Sequence, residues 1–240
     1  MNTFLQGFLD NDSYFGRFMT KLGIIIAANI MFIIFSQPLV TMGASLAALY
    51  HVMLKTLRSG GVVNPFREFW IGFKTNLKQA TLVWLIFAAV LAFLSVDLQI
   101  IGQAGGALSL FRYGILAIGL VVICLFFFLM PVMAAFQAGL KSLVGHAFYF
   151  LLKKPWKSAV ILFFDVFPLI LTYTDLKNLP LYAFIWVLCG FGLQAMLAST
   201  LLLPEFEPFL PGVDGGGAFV PAPGDDEESM LQDLKDLDGL

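Results

Sequence analysis

The stretch FIIFSQPLVTMGASLAALYHV, residues 32–52, begins as a continuous apolar run that is interrupted at Pro38. Proline has no amide hydrogen and disfavours helical geometry at the residue before it, so a helix should end near Gln37. Thr41 is then positioned to cap a second helix by accepting a hydrogen bond from a backbone amide two or three residues later. The stretch therefore predicts a sharp turn followed by a new helix. The alternative is that carbonyls freed at residues 36–39 line a binding site, as in transporters with broken helices.

Small residues recur at four-residue steps in the predicted second helix. Such steps allow the backbone of a neighbouring helix to approach closely. The residues that we predict to form this packing surface are Gly43, Ala44, Ala47 and Ala48.

The composition indicates an all-α integral membrane protein. Hydrophobic residues make up 59% of the 240 residues and charged residues only 12%, and the mean hydropathy is +0.87. A soluble domain usually carries about 25% charged residues, so this chain has too few to cover a surface that faces water. The apolar runs are continuous, whereas strands of a membrane barrel alternate, so we expect helices.

Five runs are long enough to cross a bilayer, because a hydrocarbon core of ~30 Å needs about 20 apolar residues as helix. They cover residues 18–37, 79–96, 111–134, 158–174 and 180–203. Residues 41–57 are either a sixth, short span or a broken element, and two observations bear on this choice. The distribution of basic residues favours six spans, whereas the shortness of 41–57 and a possible internal repeat favour five. We therefore expect about five spans, with six as the alternative.

The possible repeat rests on two similar segments. FWIGFKTNLKQATLVWL starts at Phe69, and FYFLLKKPWKSAVILFF starts at Phe148 with aromatic and basic residues in matching places. In each repeat unit, covering about 18–96 and 111–174, we expect a short amphipathic helix at the membrane interface. The last span, 180–203, would follow the second unit.

Charge predicts the orientation and separates a C-terminal tail from the membrane domain, 1–203. Basic residues cluster between particular spans, which places these loops and the C-terminus in the cytoplasm of a multi-pass cell-membrane protein. Residues 204–240 contain ten acidic residues and one lysine. We expect a mostly disordered tail with a short helix at 225–238. Its apolar positions recur at helical spacing and predict docking to a protein partner; they are Met230, Leu231, Leu234 and Leu237.

Few residues within the membrane domain could carry chemistry. Asp165 is the one acid well inside a span, where carboxylates are costly and often functional, and we expect either a proton or cation site or a structural pair with Asn29, Gln194 or a lysine. His51 and His146 lack carboxylates at ligand spacing, so they predict interfacial hydrogen bonding. The motifs of enzymes, cofactor sites and metal sites do not occur in a usable context, and the basic clusters suit lipid headgroups better than nucleic acid. We therefore expect no enzymatic activity, cofactor or nucleic-acid partner.

The segment NIMFIIFSQPLVTMGASLAALYHVMLKTL, followed by FREFWIGFKTNLKQATLVWLI, resembles the YesL-like family of bacterial integral membrane proteins, a family of unknown function. The resemblance covers residues 15–95. The matching residues are Asn29, Pro38, Thr41, Gly43, Ala48, Leu49, Tyr50, Phe69, Trp70, Phe73, Lys74, Asn76, Lys78 and Gln79. Members are often encoded beside carbohydrate ABC-transporter genes, which implies a role in sugar uptake, and the long acidic tail departs from the family's compact end.

Three hypotheses for the function follow. The first is an accessory or structural membrane protein that docks on a sugar ABC-transporter permease or another membrane protein, in addition to its contact with the lipid bilayer. The alternative is a small membrane transporter or channel that uses the broken helix and Asp165. The third, a membrane-bound enzyme using His51 and His146, has the least support because the sequence offers no catalytic constellation around them.

Overall fold

The computed structural model describes residues 14–60, 63–103 and 111–210, and these residues form helices without strands. The predicted tail helix at 225–238, with Met230, Leu231, Leu234 and Leu237, lies outside the described residues. The elements, in chain order, are α1 (Tyr14–Ser36), a 3-10 turn (Leu39–Thr41), α2 (Met42–Arg58), α3 (Pro65–Gln103), α4 (Phe111–Ala135), α5 (Leu140–Lys153), α6 (Pro155–Thr174), a 3-10 turn (Leu176–Asn178), α7 (Leu179–Ile185), a π-helical turn (Trp186–Gly190), α8 (Phe191–Phe206) and a final 3-10 turn (Glu207–Phe209).

Six helical segments of the described residues are long and apolar enough to cross a membrane. Five of them correspond to the predicted spans, with bounds that differ by a few residues or more, and the sixth is Leu39–Arg58, which includes α2. At 1.5 Å per residue, its 20 residues reach ~30 Å, the thickness of a hydrocarbon core. The described residues thus agree with the alternative of six spans, because the 3-10 turn and α2 together extend this segment from Leu39 to Arg58.

Helix α2 is the centre of the bundle. In the most apolar 18 residues of Leu39–Arg58, 67% of the residues are buried inside the bundle. The corresponding share in the other five membrane-spanning segments is 6–33%. Leu39–Arg58 also has the lowest hydropathy of the six, 1.2. Both facts have one cause, since a helix surrounded by other helices does not need large apolar side chains facing lipid, and small residues allow closer packing.

The packing of Gly43 shows how closely α2 approaches α3. A Cβ atom at Gly43 would clash with the backbone oxygen of Ala80 and would lie 2.6 Å from Cβ of Trp84. Ala44, Ala47 and Ala48, the other small residues of the predicted packing surface, are fully buried. The small-residue surface of α2 is thus used within this chain.

The two segments of the possible repeat are built differently. The first is part of α3, one continuous helix of 39 residues, whereas the second is divided between α5 and α6 at Lys154. When Phe69 is aligned with Phe148, Pro155 takes the place of Asn76, and a proline disfavours helical geometry at the residue before it, here Lys154. If all six segments cross the membrane, α1 and α4 also run in opposite directions, whereas the repeat required the same direction. Helix α5 keeps the length expected of an interfacial helix.

The last helix continues past the predicted end of the membrane domain at residue 203. Helix α8 contains Pro204 and ends at Phe206, whose side chain is fully buried among the rings of Phe136 and Phe150. The ordered domain thus includes residues that the charge pattern assigned to the tail.

Candidate functional site

At the helix break after Ser36, side chains donate hydrogen bonds to three backbone carbonyl oxygens. The Thr41 hydroxyl donates to the carbonyl oxygens of Phe35 (2.7 Å) and Pro38 (2.9 Å), and the Trp84 indole Nε1 donates to that of Leu39 (2.7 Å). The predicted capping role of Thr41 was wrong, because its hydroxyl donates backwards and makes no capping bond to α2. These three carbonyls, which could have coordinated a ligand, are already hydrogen-bonded.

Asn29 joins the first span to the last one. Its side-chain Nδ2 donates to the carbonyl oxygens of Trp186 (3.0 Å) and Val187 (2.8 Å), and its Oδ1 accepts from the amide of Gly192 (2.9 Å). A π-helical turn displaces backbone groups from the regular helical pattern, and Asn29 supplies partners for them. Asn29 is completely buried and acts as an interhelical cross-link.

Asp165 lies in α6 with 2% of its surface exposed. Its carboxylate oxygen Oδ2 has no hydrogen-bond partner among the described residues. The expected pair with Gln194 is not formed through the carboxylate, because Gln194 Nε2 donates to the backbone oxygens of Phe164 (2.9 Å) and Asp165 (3.2 Å). The Asn29 amide hydrogen-bonds to the π-helical turn instead of to Asp165, and no described lysine forms an ion pair with Asp165. A buried carboxylate without such partners is costly, and this is a property of functional acids in membranes.

The Asp165 side chain lines a cavity of about 280 Å³ inside the bundle, which we call the Asp165 cavity. Each of the six membrane-spanning segments contributes to its wall, through residues that include Phe32, Leu46, Trp84, Phe126, Asp165 and Phe191. Apart from the carboxylate, the polar side chains of the wall are Tyr50, Gln194 and the indole of Trp84. Aromatic rings supply much of the remaining surface.

The wall of the Asp165 cavity is held by stacked rings. Phe87 and Phe126 stack with their centroids 3.9 Å apart, and Trp84 lies 5.7 Å from Phe126. In another part of the wall, the Phe32 ring of α1 packs on the Phe191 ring of α8, with the two centroids 5.0 Å apart. These contacts between different helices fix the shape of the cavity.

The two histidines lie apart from these groups. His51 is buried in α2, where its Nε2 lies 3.6 Å from Glu68 Oε2, and Lys55 Nζ lies 2.8 Å from the same oxygen. Gly72 makes room for the imidazole, since a Cβ there would lie 2.9 Å from that of His51. His146 is exposed on α5 and packs beside the Phe136 ring. The described residues hold no group of three or more His, Cys, Asp or Glu side chains placed to bind a metal ion.

A second charged cluster was missed because residue 204 was taken as the start of the tail. The Glu205 carboxylate forms ion pairs with three lysines, and its oxygens lie 3.1 Å from Lys153 Nζ, 2.6 Å from Lys154 Nζ and 2.9 Å from Lys157 Nζ. The three lysines stand at the junction of α5 and α6, some 50 residues earlier. The spacing of these lysines was visible in the sequence, but their partner was not.

One acid between spans is also held by neighbours. Asp175 accepts hydrogen bonds from Asn178 Nδ2 (2.9 Å) and the Tyr182 hydroxyl (3.0 Å). These bonds favour the charged form and keep the pKa of the Asp175 carboxyl below its usual value. Asp175 thereby closes the turn between α6 and α7.

Part of the chain matches a protein-family model. Residues 25–98 match the family described as "Protein of unknown function, DUF624". The match runs from α1 to α3, less than a third of the chain, and its description assigns no activity. No curated protein and no solved structure matches the chain.

Proposed function

We propose that this chain is a small membrane transporter that holds its substrate in the Asp165 cavity. The observation that carries the proposal is the unpartnered carboxylate oxygen of Asp165, which is buried at the wall of a cavity formed by all six spans. A transporter site is expected near the middle of the bundle, where elements that move relative to each other meet. The proposal does not use the helix break as a ligand site, because the carbonyls of Phe35, Pro38 and Leu39 are occupied.

We further propose that the protein lies in the cell membrane with both termini in the cytoplasm. Six spans place twelve basic residues on the cytoplasmic side and two on the other side. The first turns of α3 would then project into the cytoplasm, because its 39 residues measure ~58 Å, well beyond a bilayer core. Its basic residues in this part, Arg67, Lys74 and Lys78, would lie near the headgroups.

A transporter must open its site to each side of the membrane in turn, and this can be tested without knowing the substrate. In a background with Cys124 and Cys189 replaced by alanine, Leu46→Cys places one thiol at the wall of the Asp165 cavity. The matched control, Leu120→Cys, places a thiol on the outer face of α4, where the native side chain is 62% exposed and would face lipid.

We expect a membrane-impermeant maleimide to label Leu46→Cys from either side of oriented vesicles and to leave Leu120→Cys unlabelled. Labelling of Leu46→Cys from one side only would indicate a binding site without alternating access. Labelling from neither side would refute the proposal.

The hypothesis of an accessory subunit on a sugar ABC-transporter permease stays a second proposal. It rests on the resemblance to the YesL-like family, with which the match at 25–98 is compatible. The small residues of α2 no longer argue for docking to a partner, because they pack inside this chain. Purification from mild detergent tests it. The truncation should follow Leu210, since Glu205 and Phe206 belong to the folded domain, and recovery of a permease with the intact chain alone would support docking through the tail.

A further inference from the structure

We infer that the Asp165 cavity binds a small organic cation, with the positive group at the Asp165 carboxylate and an apolar body against the aromatic wall. This inference rests on the proposed function, since it names the chemical class of the substrate. It concerns the interior of the bundle and does not depend on any surface of the protein.

Charge is the first argument. Asp165 has the one carboxyl group among the residues that line the cavity, a bound cation would favour its charged form at neutral pH, and lysine and arginine are absent from the wall. The other titratable group there is the Tyr50 phenol, which is neutral at that pH. A positive ligand would compensate the buried carboxylate, whereas an anion would add a second uncompensated charge.

The polar groups of the cavity do not suit a sugar or a metal ion. A sugar presents many hydroxyl groups, and burying them without partners is costly. In this cavity the Gln194 amide nitrogen and the Trp84 indole already donate to backbone oxygens. A hard cation such as Ca²⁺ takes about six to eight oxygen ligands, whereas the side chains of this wall supply oxygen atoms only from Tyr50, Asp165 and Gln194.

The aromatic wall provides the complementary argument. Trp84, Phe87 and Phe126 form one cluster, and Phe32 and Phe191 form a second. Aromatic faces attract quaternary and other organic ammonium groups, and the attraction is strongest when water is excluded. The volume, about 280 Å³, lies near the lower end of the range for small-molecule sites, ~300–1,000 Å³, and so limits the ligand to a small molecule.

The test uses benzyltrimethylammonium as the probe and isothermal titration calorimetry on the full-length protein in nanodiscs. N,N-dimethylbenzamide, a neutral molecule of similar size, is the matched ligand. The matched variants are Asp165→Asn, which removes the charge and keeps the shape, and Asp97→Asn, which makes the same change outside the cavity. Phe126→Leu keeps apolar volume and removes one ring, and size-exclusion chromatography verifies that each variant is folded.

We expect the wild type and Asp97→Asn to bind benzyltrimethylammonium with equal affinity. Asp165→Asn should weaken binding about 30-fold or more, because truncating one partner of a buried charge pair costs at least ~2 kcal/mol. Phe126→Leu should weaken it about fivefold through loss of a cation–π contact. The neutral ligand should bind more weakly and should not respond to Asp165→Asn.

The inference is overturned if the wild type does not bind the cation. It is also overturned if the neutral ligand binds equally well, or if both Asp165→Asn and Phe126→Leu retain full affinity. The labelling of Leu46→Cys separates this failure from that of the proposed function. Labelling from both sides without cation binding indicates a transporter with another substrate, whereas cation binding with one-sided labelling confirms the site and refutes transport.

Discussion

The contact of Gly43 with α3 predicts that Gly43→Ala destabilises the protein, although alanine is normally the better helix former. The added Cβ would clash with the Ala80 carbonyl oxygen and lie 2.6 Å from Cβ of Trp84. Ordinary contact begins at 3.4 Å, so α2 and α3 would have to separate by ~0.8 Å at this point. A gap of that size forfeits a quarter to a half of the dispersion energy of the affected atom pairs.

The magnitude follows from two opposing effects. Overpacking of this kind costs about 1–3 kcal/mol, and replacing glycine by alanine within a helix returns up to about 1 kcal/mol. The separation also strains the hydrogen bond from Trp84 Nε1 to the Leu39 oxygen, which is 2.7 Å long in the native protein. We therefore expect a net loss of about 1–2 kcal/mol in the free energy of unfolding.

Gly23→Ala is the matched control because Gly23 lies in α1 with nothing within 4 Å of the added Cβ. It should stabilise the protein by up to about 1 kcal/mol through helix propensity alone. The assay is reversible unfolding of both variants by sodium dodecyl sulfate in mixed micelles, followed by circular dichroism. If Gly43→Ala is as stable as Gly23→Ala, the close approach of α2 to α3 is not as described and the reasoning fails.

Two further variants test the interhelical links. Asn29→Leu should lower the free energy of unfolding by about 2–3 kcal/mol, because it removes three hydrogen bonds between α1 and the last span. The control Asn76→Leu removes one hydrogen bond within a single helix and should lower the free energy of unfolding by less than about 1 kcal/mol in the same assay. Glu205→Gln should destabilise by about 1 kcal/mol at low salt and less at high salt, because it leaves three neighbouring lysines without their shared carboxylate. The same change at the exposed Glu207 should have no effect, and equal losses at both positions would contradict the ion-pair assignment.

The class of fold was predictable because it depends on composition and on the length of apolar runs. The central position of α2 was not predictable in the same way. Its small residues indicated close packing, but they also lowered its hydropathy, and this made a membrane span look like a short broken element. Hydropathy measures the affinity of a segment for lipid, so it underestimates a span that contacts mainly other helices.

The site was predicted in part. Asp165 was identified because an acid inside an apolar run is unusual, and Asn29 and Gln194 were identified for a similar reason. Their partners could not be predicted, since Asn29 bonds to a π-helical turn 157 residues away and Gln194 bonds to backbone atoms of α6. The Asp165 cavity depends on how all six spans converge, which no local pattern encodes.

The central position of α2 has a consequence for how the chain is synthesised. A segment that leaves the ribosome is sorted into the bilayer according to its own affinity for lipid, and Leu39–Arg58 has the weakest affinity of the six. We expect the nascent chain to retain this segment at the insertion machinery until α3 emerges and covers its glycine and alanine surface. Residues 25–98, the portion matched by the family model, include α2, the C-terminal half of α1 and nearly all of α3. We expect this portion to enter the membrane as one unit, to which the remaining three spans are added afterwards.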